Sequence, residues 1–99
     1  NVYCAEVEAA IYRHPAVAEC CVFGVPDTRL GEEVGVAVVL KPGETLDAAT
    51  LRSFVGSLIA TYKVPRHVWF MPEALPRNAS GKFLRRELRD RLAQDLPPA

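Results

Sequence analysis

Two runs rich in β-branched residues, Val17 to Val25 (VAECCVFGV) and Val34 to Leu40 (VGVAVVL), lie only eight residues apart, with Pro26 to Glu33 between them. Each run is closed by turn-forming residues, Pro26-Asp27 and Lys41-Pro42-Gly43, and each reads as a strand. A parallel crossover needs about a dozen residues or more, so this connection makes the two strands antiparallel neighbours. Whatever else the chain does, it has to cover that sheet.

The cover comes from three helical patterns. Cys4, Val7, Ala10 and Ile11 recur at helical spacing and predict a helix over 4–13, stopped by Pro15. Asp47 is a candidate N-cap, and after it Leu51, Phe54, Val55, Leu58, Ile59 and Tyr62 predict one buried helix face ending before Pro65. Leu84, Leu88 and Leu92 form a third apolar stripe, opposed by Arg85, Arg86, Arg89 and Arg91. A short third strand, His67 to Phe70 (HVWF), falls between the last two helices. The expected fold is α+β: a small, mainly antiparallel sheet of about three strands covered by three helices.

Ninety-nine residues, 49% apolar and 24% charged, hold one hydrophobic core and no second domain. No stretch approaches the roughly 20 apolar residues of a membrane span, so no transmembrane segment is expected. The chain starts at Asn1, directly before a helical pattern and without an initiating methionine, and reads as part of something longer. Cys4, Cys20 and Cys21 have neither metal-ligand nor disulfide-framework spacing. Cys20 and Cys21 should point to opposite faces of a strand as small buried groups, and the compartment is read as reducing and cytoplasmic.

Net charge is zero, but from Pro76 onward six bases face three acids. Such a face on a helix is ordinarily solvated surface, and no nucleic-acid partner is expected from it. His14 and His67 are isolated, and Gly81-Lys82 is followed by Phe83, so no Walker-type phosphate loop is present. What remains is Lys82 itself. Asn78 and Ser80 are turn formers, Gly81 has access to conformations closed to other residues, and a helix begins just beyond. The ammonium would sit on a tightly specified loop, although from the loop alone a solvated lysine at a helix start is the plainer reading.

Together the residues resemble the C-terminal domain of the adenylate-forming (AMP-binding) superfamily, most of all an acyl-CoA synthetase. Asn1-Val2-Tyr3 with Glu6-Val7-Glu8 is similar to the end of the segment Gly-Gly-Glu-Asn-[Val/Ile]-[Tyr/Ser]-Pro-x-Glu-Val-Glu. His14-Pro15, Gly24-Val25-Pro26-Asp27, Gly31-Glu32 and Tyr62-Lys63-Val64-Pro65 follow in order. Leu75-Pro76-Arg77-Asn78-Ala79-Ser80-Gly81-Lys82 with Arg86-Glu87-Leu88 completes the series. Cys4 departs from the pattern, standing where the family commonly has proline.

The resemblance implies a lid domain that closes over a large N-terminal domain of the same protein, its main partner, which holds ATP, Mg2+ and the carboxylic acid. Residues 1–99 alone should then be inactive. Lys82 is the implied catalytic residue for adenylation, supported by Pro76, Ser80 and Gly81. Asn1, Val2 and Tyr3 are implied for the face that guides CoA in the following thioester step, while Glu6 and Glu8 read as solvated helix-start residues. Pro76, Gly81 and Lys82 also fit the Pro-x-x-x-x-Gly-Lys pattern read by some bacterial lysine acetyltransferases. The alternatives are an adenylation domain that loads a carrier-protein thiol, and a non-catalytic anion-binding module using the arginine-rich helix.

Overall fold

The computed structural model describes residues 3–29 and 31–97. Strands β1 (Val17–Asp27) and β2 (Gly31–Leu40) pair antiparallel from Val17 opposite Leu40 to Asp27 opposite Gly31. Both strands extend beyond the apolar runs, so the connection shortens to a tight hairpin. Strand β3 (His67–Phe70) joins β2 in parallel, giving the order β1-β2-β3. Helix α2 (Ala48–Gly56) lies in the connection between these two parallel strands, as a crossover requires. Helix α1 (Cys4–Tyr12) precedes the sheet and α3 (Arg85–Leu92) follows it.

Alternation along the strands builds two cores, one on each face of the sheet, where chain length alone predicted one. Cys20, Val22, Val34, Val36, Val38 and Val68 pack with Val7 and Ile11 of α1 and Leu51 and Val55 of α2. Cys21, Phe23, Val25, Ala37 and Trp69 pack on the other face with Leu75 and with Leu88 of α3. The adjacent cysteines therefore face opposite cores, as their sequence positions require. The register shifts between Val17 and Glu19, and this irregularity lets Val17 and Cys20 share one core although an unbroken pleat would part them.

Gly35 makes the second face possible. It lies opposite Phe23, and a Cβ there would stand 2.6 Å from Val25 Cγ2 and 3.0 Å from Trp69 Cζ3. Its missing side chain is filled by Phe23 stacked on Trp69 at 5.5 Å between ring centres.

The outer edge of β1 is covered by side chains rather than by another strand. Tyr12 Oη accepts the Cys20 N–H at 3.0 Å, and Glu8 Oε2 accepts the Val22 N–H at 2.7 Å. Arg85 donates to the Val22 carbonyl and to Glu8 Oε2, the latter at 2.6 Å. Glu8 is thus a tie between α1, β1 and α3 and not the solvated residue its helix-start position implies.

Helix α2 is shorter than its periodicity predicts. Asp47 caps it, accepting the Thr50 N–H at 2.7 Å, but the helix ends at Gly56, where Ser57 Oγ donates to the Phe54 carbonyl at 2.6 Å. Leu58 and Ile59 still reach the first core from the turns beyond. Tyr62 does not: it is 70% exposed on a short 3-10 turn, Thr61–Lys63. No helix among the described residues is long and apolar enough to cross a membrane.

Candidate functional site

The chain between the second core and α3 folds back on itself as a small hairpin. Arg77 and Phe83 face each other as an antiparallel bridge, and the Leu84 N–H donates to the Pro76 carbonyl at 3.0 Å. At the tip the Gly81 N–H donates to the Asn78 carbonyl at 2.9 Å and the Asn78 N–H to the Lys82 carbonyl at 2.8 Å. This is a three-residue loop, a turn followed by a left-handed residue, and Gly81 supplies that residue with φ of 84°. Asparagine at the first turn position adds its side chain: Asn78 Oδ1 accepts the Ser80 N–H at 2.9 Å and the Lys82 N–H at 3.0 Å.

Both backbone polar groups of Lys82 are consequently bound to one residue, Asn78. The side chain is exposed, and none of the ion pairs of the described residues includes it. A fixed backbone carrying an ammonium outside those ion pairs can present positive charge to something beyond the chain. Of the supporting residues named from sequence, Pro76 and Ser80 act through backbone groups and Gly81 through its conformation.

Sequence reasoning missed what holds the hairpin to the body. Arg77 Nη1 donates to the Gly81 carbonyl at 2.8 Å, and Arg77 Nη2 to Glu19 Oε2 at 3.2 Å. The guanidinium carbon also lies 4.2 Å from the centre of the Phe83 ring. Glu19, on the same face of β1 as Cys21, accepts the Leu75 N–H through its other oxygen at 2.8 Å. The signal available in the sequence was the arginine next to the turn; its acidic partner, 58 positions earlier, left none.

Tyr3 belongs to a different group. Its ring meets Tyr62 edge-on at 5.9 Å, and the Lys63 ammonium lies 4.5 Å from its centre. Glu6 accepts from Lys63 at 2.8 Å, a bond that holds the lysine pKa above its ordinary value. Lys63, Glu6 and Tyr62 thus pack as one surface cluster around the start of α1, and Tyr3 does not join the Lys82 hairpin. Asn1 and Val2, named with Tyr3 for the CoA face, lie outside the described residues.

The basic last helix is less open than its composition implies. Arg85 is engaged by Glu8, and Arg89 by Asp90 at 2.9 Å. With Arg77 on Glu19, half of the six bases after Pro76 already have acidic partners. Among the described residues, no group of three or more histidine, cysteine or acidic side chains is placed to hold a metal. Cys4, Cys20 and Cys21 form no disulfide, and burial raises the Cys20 and Cys21 pKa values to about 12 and about 11.

Comparison with known proteins finds the same family and fold over almost the whole chain. The family described as "AMP-binding enzyme C-terminal domain" matches residues 6–82. A fatty acid–[acyl-carrier-protein] ligase, ScoC of Streptomyces coeruleorubidus, is 46% identical over 95 residues, 96% of this chain and 18% of the relative. A long-chain-fatty-acid–CoA ligase of Bacillus subtilis is 49% identical over 88 residues, 89% of this chain and 16% of the relative. The apo crystal structure of MatB from Rhodopseudomonas palustris superposes with a TM-score of 0.87 at 38% identity, covering 94% of this chain and 18% of that one. The chain therefore spans less than a fifth of the length of each of these proteins. With the family match covering most of its residues and the same fold at that identity, the chain belongs to the AMP-binding enzyme C-terminal domain family.

Proposed function

We propose that residues 1–99 are the lid domain of an ATP-dependent acyl-CoA synthetase and that Lys82 is its adenylation residue. The observation that carries this reading is the hairpin: Asn78 binds both backbone groups of Lys82 while the ammonium stays outside the ion pairs. In the overall reaction a carboxylate displaces pyrophosphate from ATP to give an acyl-adenylate, and the thiol of CoA then takes the acyl group and releases AMP. A large N-terminal domain, with Mg2+ accompanying ATP, would hold the reactants.

The carboxylate and the α-phosphate are both anionic, so the first step brings like charges together. A lysine held at the right place offsets that repulsion through position and electrostatic stabilisation as the site closes. Lysine suits the task because its charge is compact and its three donors reach carboxylate and phosphate oxygens together. Tyr3, apart from the Lys82 hairpin, would serve the thioester step, and the same role is proposed for Asn1 and Val2. The free thiols support a reducing, cytoplasmic setting.

In the full-length enzyme, Lys82→Ala should lower acid-dependent pyrophosphate exchange by about 10²- to 10³-fold, the usual loss for one preorganised electrostatic contact. Thioester formation from a supplied acyl-adenylate should persist. Unchanged exchange would remove Lys82 from the adenylation step. A lysine acetyltransferase reading Pro76, Gly81 and Lys82 would neutralise the same ammonium, and the acetylated enzyme should behave as Lys82→Ala does in both assays.

A second acceptor deserves testing because ScoC, a ligase acting on an acyl-carrier protein, is among the similar proteins. Supplying the enzyme with CoA and with a pantetheinylated carrier protein separates the two. An anion-binding module is a weaker account, since Glu8, Glu19 and Asp90 occupy Arg85, Arg77 and Arg89. It would require salt-sensitive binding that survives Lys82→Ala.

A further inference from the structure

We infer that Arg77, seated on Glu19, is a positioning residue for Lys82: it fixes where the hairpin points, while Asn78 and Gly81 fix only its shape. The inference rests on the adenylation reading of Lys82.

The bonds within the hairpin are local. Asn78 ties Ser80, Gly81 and Lys82 to itself, and Pro76 is bonded to Leu84, so these contacts would survive if the whole hairpin tilted against the sheet. Arg77 is different because one guanidinium bonds the tip and the sheet at once, through Gly81 O at 2.8 Å and Glu19 Oε2 at 3.2 Å. Its planar fork allows both bonds without a change of rotamer, and its stacking on Phe83 restricts the plane. Glu19 is in turn held by the Leu75 N–H at 2.8 Å, and Leu75 is buried in the second core. A continuous path therefore runs from the core, through Leu75, Glu19 and Arg77, to the carbonyl of the residue before Lys82.

The exposure of the parts predicts how their loss would be felt. The Arg77 side chain is 46% exposed, and water replaces it readily at the Gly81 carbonyl, so stability should hardly change. Placement of a charge at a reacting centre is more demanding, because displacement by about 1 Å is enough to cost 10²-fold in rate. With one donor of each terminal nitrogen bonded, Nη1 to Gly81 and Nη2 to Glu19, Arg77 is assigned to act through Lys82 and not on substrate.

The test uses the full-length enzyme with Lys82→Ala as reference. Arg77→Ala and Glu19→Gln should each lower kcat for pyrophosphate exchange by roughly 10- to 100-fold, with KM for acid and ATP little changed. Thioester formation from supplied acyl-adenylate should stay near wild type, and so should the melting temperature. The double variant should lose no more than Arg77→Ala alone, and Arg77→Lys should recover part of the rate. If Arg77→Ala exchanges pyrophosphate normally while Lys82→Ala does not, the positioning role falls and the Lys82 reading stands. If Lys82→Ala is itself normal, that reading falls. Equal loss of both half-reactions in Arg77→Ala, or rates that multiply in the double variant, would also overturn the positioning role. Should Glu19→Gln fold poorly, Arg77→Lys and Arg77→Ala still decide it.

Discussion

At Gly81 the constraint is conformational and not spatial. A Cβ there would meet nothing within 4 Å, but φ of 84° lies in the region that L side chains avoid. Gly81→Ala should therefore destabilise the hairpin by about 1 kcal/mol, and Gly81→Asn by less, because asparagine tolerates that conformation better. Both are checked by chemical denaturation, with pyrophosphate exchange in the full-length enzyme as the functional counterpart. A larger deficit for asparagine than for alanine would mean that backbone conformation is not what glycine provides. This part of the site is legible from sequence, since Asn78 and Gly81 carry their preferences in their own chemistry. Arg77 with Glu19 and Arg85 with Glu8 are not, because 58 and 77 residues separate the partners and no local pattern links them.

Among the elements, β2 is the most demanding. It is the central strand, buried on both faces, with valines at 34, 36 and 38 toward α1 and α2, and with the small Gly35 and Ala37 toward the Phe23–Trp69 stack. Gly35→Ala should cost about 1–3 kcal/mol, the usual penalty of forcing atoms into a filled core. A denaturation midpoint equal to wild type would show that Val25 and Trp69 can move aside. The hairpin of β1 and β2 follows from composition and spacing alone, and so does the opposition of Cys20 to Cys21. The end of α2 does not follow. Apolar periodicity continues through Leu58, Ile59 and Tyr62, but periodicity records only which residues are apolar, and a turn at Ser57 brings Leu58 and Ile59 to the same core. Nor does sequence reveal that β3 pairs in parallel, since the choice of neighbour depends on which way the crossover returns.

For the whole molecule, the two cores each enclose a thiol, and this gives the fold an alkaline weakness. Burial raises Cys20 to about 12 and Cys21 to about 11, against about 9 for the unburied group. Between about 9 and about 11 the unfolded chain has lost both protons and the folded chain retains them, and up to about 12 it still retains that of Cys20, so stability falls as pH rises from about 9 toward 12. Urea midpoints at pH 7, 9 and 10.5 should decline for the wild type and decline less for a Cys20→Ala, Cys21→Ala double variant. Parallel declines would assign the alkaline loss to other groups. Below pH 9 both thiols should also resist alkylation until the protein unfolds.

The side chains along the outer edge of β1 have a further effect. Tyr12, Glu8 and Arg85 occupy backbone groups of Cys20 and Val22 that an arriving strand would need. On the proposed reading, a lid that separates from a larger neighbour in every turnover would bare its surface repeatedly to a crowded solution. Because that edge is already occupied at Cys20 and Val22 by side chains of α1 and α3, such a lid could open without offering those groups as a template on which a second copy could aggregate.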